Sequence, residues 1–213
     1  MRFVSIRVVP FGARCQRCPV RVVGVPADPY RRNERARRAI LDAALSLVCE
    51  LGYDNVSIEA IAKRAGCSKA TIYRWWPSKG AVVLEATTES LDLVVPLPDT
   101  GDIAADLRSQ LEAIRVVITT TGTGAAYRGV IAAGQSDHNL LQSVFDRIIE
   151  PSITTFAARI AVARDRGEIN PNADVQTLRD VLYGFLEYRL IHSLPIEPHH
   201  VDALVTIVFD GVR

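Results

Sequence analysis

Residues 57–79, SIEAIAKRAGCSKATIYRWWPSK, decide how this chain folds. Ser57 stands where an N-cap belongs, Glu59 lies at the positive end of the helix dipole, and Ile58, Ile61, Ala62 and Ala65 share one face of a short helix. Gly66 supplies the left-handed residue that closes that helix in a tight turn. Ser68 can cap a further helix reaching Trp76, where Pro77 stops it. Cys67, Ile72 and Trp76 are its inward positions, while Lys69 with Tyr73 and Ala70 with Arg74 form i, i+4 pairs on the opposite side. A short helix behind a glycine-centred turn, presenting long cationic donors, a phenol and one small residue, is a helix-turn-helix suited to the major groove of DNA.

Upstream, Ile40, Leu41, Ala44, Leu47, Val48 and Leu51 recur with helical period and Gly52 ends the run; Asp28-Pro29 and Asn33-Glu34 are equally good starts. Downstream, amphipathic runs cover about 79–95, 102–121, 125–135, 138–166, 173–193 and 198–211, separated by Gly, Pro, Asn and Asp clusters. None alternates with period two. The expected fold is all-α: a basic leader at 1–27 expected to be disordered, a three-helix helix-turn-helix DNA-binding domain at 28–79, and a larger helical domain at 80–213, to which the family resemblance described below assigns effector binding and dimerisation.

Charge divides the chain in the same place. Residues 1–79 hold 15 Lys and Arg against 6 Asp and Glu, and residues 80–213 hold 10 against 18. All three lysines, Lys63, Lys69 and Lys79, fall in the basic part. A polyanion-binding module carried on an acidic body follows from this asymmetry, and a packaging protein with cations spread over its whole surface does not. No stretch approaches the roughly 20 apolar residues of a membrane span. No export signal is apparent, so the cytoplasm is the expected location. Cys15-Gln-Arg-Cys18 has the spacing of a zinc or redox pair, but no second Cys/His pair follows it, and neither metal nor cofactor is expected. His138, His192, His199 and His200 do not pair with Cys or carboxylates at ligand spacing, and no nucleophile elbow, P-loop or dinucleotide motif occurs. No catalytic residue is assigned.

The run from Gly66 to Lys79, with Ala39 to Ala44, Gly52-Tyr53 and Ser57 to Ala62 before it, resembles the DNA-binding signature of the TetR (tetracycline-repressor) family over about 47 residues, 33–79. Arg166 to Ile169, Asp174, Tyr183-Gly184 and Tyr188-Arg189 resemble, more loosely, the C-terminal domain of one subgroup. The resemblance implies a homodimeric transcriptional regulator, usually a repressor, released from a pseudo-palindromic site on double-stranded DNA by a small-molecule effector. It places Ser57, Thr71, Tyr73 and Lys79 at phosphates, Lys69, Ala70 and Arg74 near base edges, and Trp75 beside the backbone. Cys67 departs from the family's small aliphatic residue, and the leader is longer than is usual.

The contacts can also be argued physically. Arg74 can offer a bidentate fork to guanine, and Lys79, at the start of a helix capped by Ser78, lies where a phosphate is favoured. Arg31, Arg32, Arg35, Arg37 and Arg38 either reach DNA as a basic arm or only solubilise a helix start. In the acidic domain Tyr127, Phe145, Phe156 and Tyr183 are candidate walls of an effector pocket, with core packing the alternative use. Leu178, Val181, Leu182 and Phe185, then Val201, Leu204, Val205 and Val208, form two apolar stripes that are read either as core or as a four-helix dimer interface with Gly184 permitting close approach. The helix from residue 79 to about 95 is the expected lever between pocket and DNA module.

Overall fold

A computed structural model describes residues 29–92 and 97–212; the leader at 1–27, with Cys15 and Cys18, lies outside the described residues. These residues form α1 (Pro29–Leu51), α2 (Ile58–Ala65), α3 (Lys69–Tyr73), α4 (Lys79–Asp92), α5 (Ile103–Thr120), α6 (Thr123–Gly134), α7 (His138–Val144), a π-helical turn (Phe145–Ile149), α8 (Glu150–Asp165), α9 (Val175–Ile191) and α10 (Pro198–Val212), with no strand among them.

The local signals act where they were placed. Ser57 Oγ accepts from Ala60 N at 3.1 Å, Ser68 Oγ from Thr71 N at 3.1 Å and Ser78 Oγ from Ala81 N at 3.2 Å, so α2, α3 and α4 each start on a serine cap. Gly66 adopts φ 68°, and its N–H and that of Cys67 return to carbonyls at the end of α2. Helix α3 ends at Tyr73, three residues before the expected stop. The N–H groups of Trp75 and Trp76 both turn back to Ile72 O at 2.9 Å, a tightened end that swings Trp76 into the core. The run expected at 125–135 starts earlier, at Thr123, because the Thr121 hydroxyl accepts from Thr123 N and Gly124 lies against Ile118 O, where a Cβ would stand only 2.1 Å away. The run expected at 138–166 is interrupted by the π-helical turn.

The interior forms two apolar clusters. One runs from α1 through α2 and α3 into α4 and on to α6 and α7, with Ile40, Ile61, Ile72, Trp76, Val82 and Val130 among its members. The other joins α5, α8, α9 and α10 around Leu107, Phe156, Ile160, Leu182 and Val205. The helix-turn-helix is therefore seated on the body rather than tethered to it. Tyr53, in the loop between α1 and α2, packs on α6 at Gly129, where a Cβ would come within 2.3 Å of the Tyr53 Cβ.

The stripes on α9 and α10 follow the core alternative for most of their residues. Leu178, Leu182, Val201, Leu204, Val205 and Val208 are buried inside the single chain, where they form much of the second cluster. An apolar stripe marks only that a helix face is covered, and here the chain's own α5 and α8 cover it. Of the residues assigned to an interface, Val181 is exposed and Phe185 half-buried; Tyr188 and Ile207 are exposed beside them on the same two helices.

Beneath the second cluster lies a buried ionic group. Arg159 donates to Asp106 Oδ2 at 2.9 Å and to Glu168 Oε2 at 3.1 Å, and Asp106 also accepts from the Thr100 hydroxyl and backbone N–H. Burial raises the cost of ionising Asp106, but the bonds from Thr100 and Arg159 outweigh it and hold the carboxyl below its ordinary range.

Candidate functional site: an exposed cationic helix and an apolar cavity

Helix α3 exposes Lys69, Ala70, Tyr73 and Arg74 together, with Thr71 and Trp75 partly covered beside them and Ile72 fully buried beneath. That is the division expected of a recognition helix. The Arg74 guanidinium lies 5.2 Å from the centre of the Trp75 ring, and Trp75 meets Trp76 edge-on, so the arginine stem starts from a rigid aromatic platform. Lys69 is drawn sideways: its Nζ is 2.7 Å from Glu59 Oε1 on α2, and this hydrogen bond holds the Glu59 carboxyl below its usual range.

Lys79 does more than the sequence indicated. Its Nζ donates to Tyr53 O at 2.8 Å and stands 4.2 Å from the Tyr53 ring centre, which pins the start of α4 to the loop between α1 and α2. Burial pushes its ammonium below the ordinary lysine range. Among the five arginines of the basic start, Arg37 is committed within the fold, pairing with Glu34, Glu85 and Glu89. Arg35 and Arg38 are exposed, and the side chains of Arg31 and Arg32 lie outside the described residues.

Glu85, on α4, joins three parts of the protein. Its Oε1 accepts from Arg37 Nε at 3.0 Å and from a second Arg37 nitrogen at 2.7 Å. Its Oε2 accepts from Trp76 Nε1 at 2.9 Å and lies 3.5 Å from an Arg147 nitrogen in the π-helical turn. Arg37 and Trp76 belong to the DNA module; Arg147 borders a cavity in the body. No sequence spacing pointed to this meeting, since its members lie 48 and 62 residues apart.

The cavity is about 930 Å³ and is walled by α4 through α9. All four aromatic residues proposed from sequence, Tyr127, Phe145, Phe156 and Tyr183, line it. About half of the remaining wall is aliphatic, including Ile114, Ile118, Leu141 and Leu190. Tyr127 donates to Glu187 at 3.0 Å and Tyr183 to Gln110 at 2.5 Å. Burial pushes both phenols well up, with Glu187 adding to the effect at Tyr127, so each remains a neutral donor. Thr88 and Leu91 bring α4 into the wall, one to two turns beyond Glu85. Sequence reading missed Glu85, Arg147, Arg179 and Glu187, which carry the polar chemistry of this region.

A helix-turn-helix with an exposed cationic reading face, fused through one helix to a body with a large apolar cavity, defines the class of the protein as a DNA-binding transcriptional regulator. Residues 40–86 match the profile described as "Bacterial regulatory proteins, tetR family", and residues 97–208 match "Tetracyclin repressor-like, C-terminal domain". The chain is 33% identical over 183 residues to the uncharacterized HTH-type transcriptional regulator YdeS of Bacillus subtilis, covering 85% of this chain and 92% of that one. It is 28% identical to the DNA-binding transcriptional repressor TetR of Mycobacteroides abscessus, covering 85% and 98%. Among solved structures, the TetR family transcription regulator SCO0332 superposes with a TM-score of 0.70 at 36% identity, covering 84% and 99%. The Bacillus subtilis regulator FadR, solved with stearoyl-CoA, shares the fold at 17% identity and a TM-score of 0.67, covering 83% and 99%. This chain belongs to the TetR family of helix-turn-helix transcriptional regulators, which are not enzymes.

Proposed function

We propose that the protein is a cytoplasmic homodimeric repressor that holds a pseudo-palindromic operator in double-stranded DNA and leaves it when a small molecule enters the cavity. Residues 28–79 then serve as the DNA-binding domain and 80–213 as the effector-binding and dimerisation domain. In this reading Lys69, Ala70 and Arg74 face base edges, Ser57, Thr71, Tyr73 and Lys79 hold phosphates, and Trp75 lies along the backbone. Ser57 and Lys79 also cap α2 and anchor α4, so their contacts would fix the module's register on DNA as well as its affinity.

The observation that carries the effector part is the double use of α4. It starts at Lys79 against the DNA module, meets Trp76 and Arg37 through Glu85, and supplies Thr88 and Leu91 to the cavity wall. A ligand that moves this wall moves the same helix that orients α3, and two such modules in a dimer lose their match to half-sites one helical turn apart. For the dimer, the exposed apolar residues Val181 and Tyr188 of α9 and Ile207 of α10 replace the buried stripes as the supporting observation, with Gly184 between Val181 and Tyr188.

The test is a salt-titrated binding assay of the purified protein on genomic fragments, including DNA upstream of its own gene. Selection of one pseudo-palindromic site at least about a thousandfold over random DNA is the expected outcome. Equal binding to all fragments refutes sequence-specific regulation.

A further inference from the structure

The joint between the start of α4 and the rest of the protein is built around one side chain. Tyr53 follows Gly52 in the loop between α1 and α2, and its carbonyl accepts from Val56 N at 3.2 Å and from Lys79 Nζ at 2.8 Å. Its ring centre lies 4.2 Å from the same ammonium. The hydroxyl end reaches the first turn of α4, where a Cβ on Gly80 would stand 3.3 Å from it and 2.8 Å from the Leu140 side chain of α7. At its root Tyr53 rests on Gly129 of α6, where a Cβ would come within 2.3 Å of the Tyr53 Cβ and 2.5 Å of its Cγ. Rotation about χ1 cannot move the Tyr53 Cβ aside, so any larger residue at 129 must push the loop or α6 away.

The Lys79 charge is held without being neutralised. Lys69 bonds Glu59, Arg64 bonds Glu50, and Arg37 bonds three glutamates. Among the described residues, Lys79 has no carboxylate within 4 Å, and its partners are a carbonyl and a ring face. An ammonium carries three donors, and the Tyr53 carbonyl occupies one of them. Fixing a lysine side chain costs rotamer freedom, and here the fold meets that cost before DNA arrives. We infer that Tyr53 is a positioning residue for DNA binding: it holds the Lys79 ammonium where a backbone phosphate supplies the missing anion, and it takes its own place from Gly129 of α6. The inference rests on Lys79 meeting a phosphate and is independent of what the cavity binds. It makes Gly129, a residue of the body, a determinant of DNA affinity. A Tyr53 that only filled space would leave Lys79 no part in the effect of Gly129, and this difference can be measured.

Anisotropy of a fluorescein-labelled random duplex, titrated with the full chain at low salt, reads phosphate contacts without any operator. Lys79→Met should weaken binding about three- to tenfold and lower the salt slope by about one. Gly129→Ala should weaken it to a similar extent, and the double variant should bind within about twofold of Lys79→Met alone. In a Lys63→Met background Gly129→Ala should keep its full effect. Tyr53→Leu keeps the Cβ and carbonyl and removes the ring face; it should weaken binding about two- to fivefold in the parent and not at all beside Lys79→Met. Thermal unfolding shows which variants fold, and if Gly129→Ala does not, the Tyr53→Leu pair carries the test. A folded Gly129→Ala or Tyr53→Leu protein that binds as the parent does, or a loss that persists in full beside Lys79→Met, overturns the inference and leaves Lys79 on its phosphate. Lys79→Met that binds as tightly as the parent removes the phosphate reading, and the inference with it.

Discussion

Replacing Glu85 with glutamine tests whether this carboxylate holds the DNA module to α4. Glutamine keeps the shape but presents one oxygen and one NH2 where two acceptor oxygens stood. If the oxygen serves Arg37, the NH2 faces the Trp76 Nε1–H; if it serves Trp76, the NH2 faces Arg37. Trp76 is 3% exposed, so leaving its N–H unpaired costs about 1–3 kcal/mol. Arg37 keeps Glu34 and Glu89 and is partly solvated, so loss of the Glu85 charge adds no more than about 1 kcal/mol. The sum is about 1–4 kcal/mol, or a fall in Tm of about 2–16 °C for a chain of this size. Urea unfolding followed by tryptophan fluorescence at fixed protomer concentration measures it directly, because both tryptophans are in the affected region. Glu89→Gln, which disturbs Arg37 alone, should cost under about 1 kcal/mol. A double-mutant cycle of Glu85→Gln with Trp76→Phe should return a coupling of about 1–2 kcal/mol. A Glu85→Gln protein within about 0.5 kcal/mol of the parent, or a Glu89→Gln protein equally damaged, would refute the reasoning, since ordinary surface changes fall in that range.

Three further outcomes are expected. On the selected operator and on random DNA, Lys79→Ala should weaken both alike and reduce the salt slope by about one, whereas Arg74→Ala should flatten preference at one base pair by about 1–3 kcal/mol; equal losses from both variants on both DNAs would remove base reading from Arg74. Asp106→Asn should destabilise the fold by about 3–5 kcal/mol near neutral pH, because Arg159 would stay buried without its main partner. The folded-state pKa of Asp106 lies below its unfolded value of 3.8, so its contribution is present above that pH and is lost as pH falls through the folded pKa; the gap between parent and variant in urea unfolding should narrow only in strongly acidic solution, and a gap independent of pH contradicts the assignment. Finally, Ile207→Glu should convert a dimer to monomers in analytical ultracentrifugation with little loss of monomer stability, as this side chain is 72% exposed; an unchanged oligomer would move the interface elsewhere.

The DNA module was legible because its determinants are local. Serine caps, a glycine at φ 68° and an inward stripe all lie within residues 57–76, and each acts on neighbours three to four positions away. The four aromatic residues of the cavity were legible for a weaker reason: large apolar rings in a helical body must line either a core or a pocket, and here they line the cavity. The polar contacts of the cavity and of its joint with the DNA module were not legible. Arg37 meets Glu85 across 48 residues, Arg147 meets it across 62, and Tyr127 meets Glu187 across 60, separations at which no periodicity carries information. The stripes of α9 and α10 stay open between core and interface in the sequence because helical period shows that a face is covered and does not show by what. Leu182 and Val205 lie in the chain's own interior.

The pairing of Lys69 with Glu59 alters the ion balance of DNA binding. A lysine that approaches a polyanion from free solution displaces a condensed cation and gains from its dilution into bulk salt. Lys69 arrives with its own counter-ion attached, a carboxylate 2.7 Å away on the neighbouring helix. When the ammonium turns to DNA, one cation leaves the duplex while Glu59 is left bare and gathers cations from solution. The exchange is nearly neutral in salt. A plot of log affinity against log salt should therefore register fewer ions than the reading face has cationic contacts, and the shortfall falls on non-specific binding, which lives on ion release alone. With Lys69 at base edges, as proposed, Glu59 lowers the salt-driven share of non-specific binding.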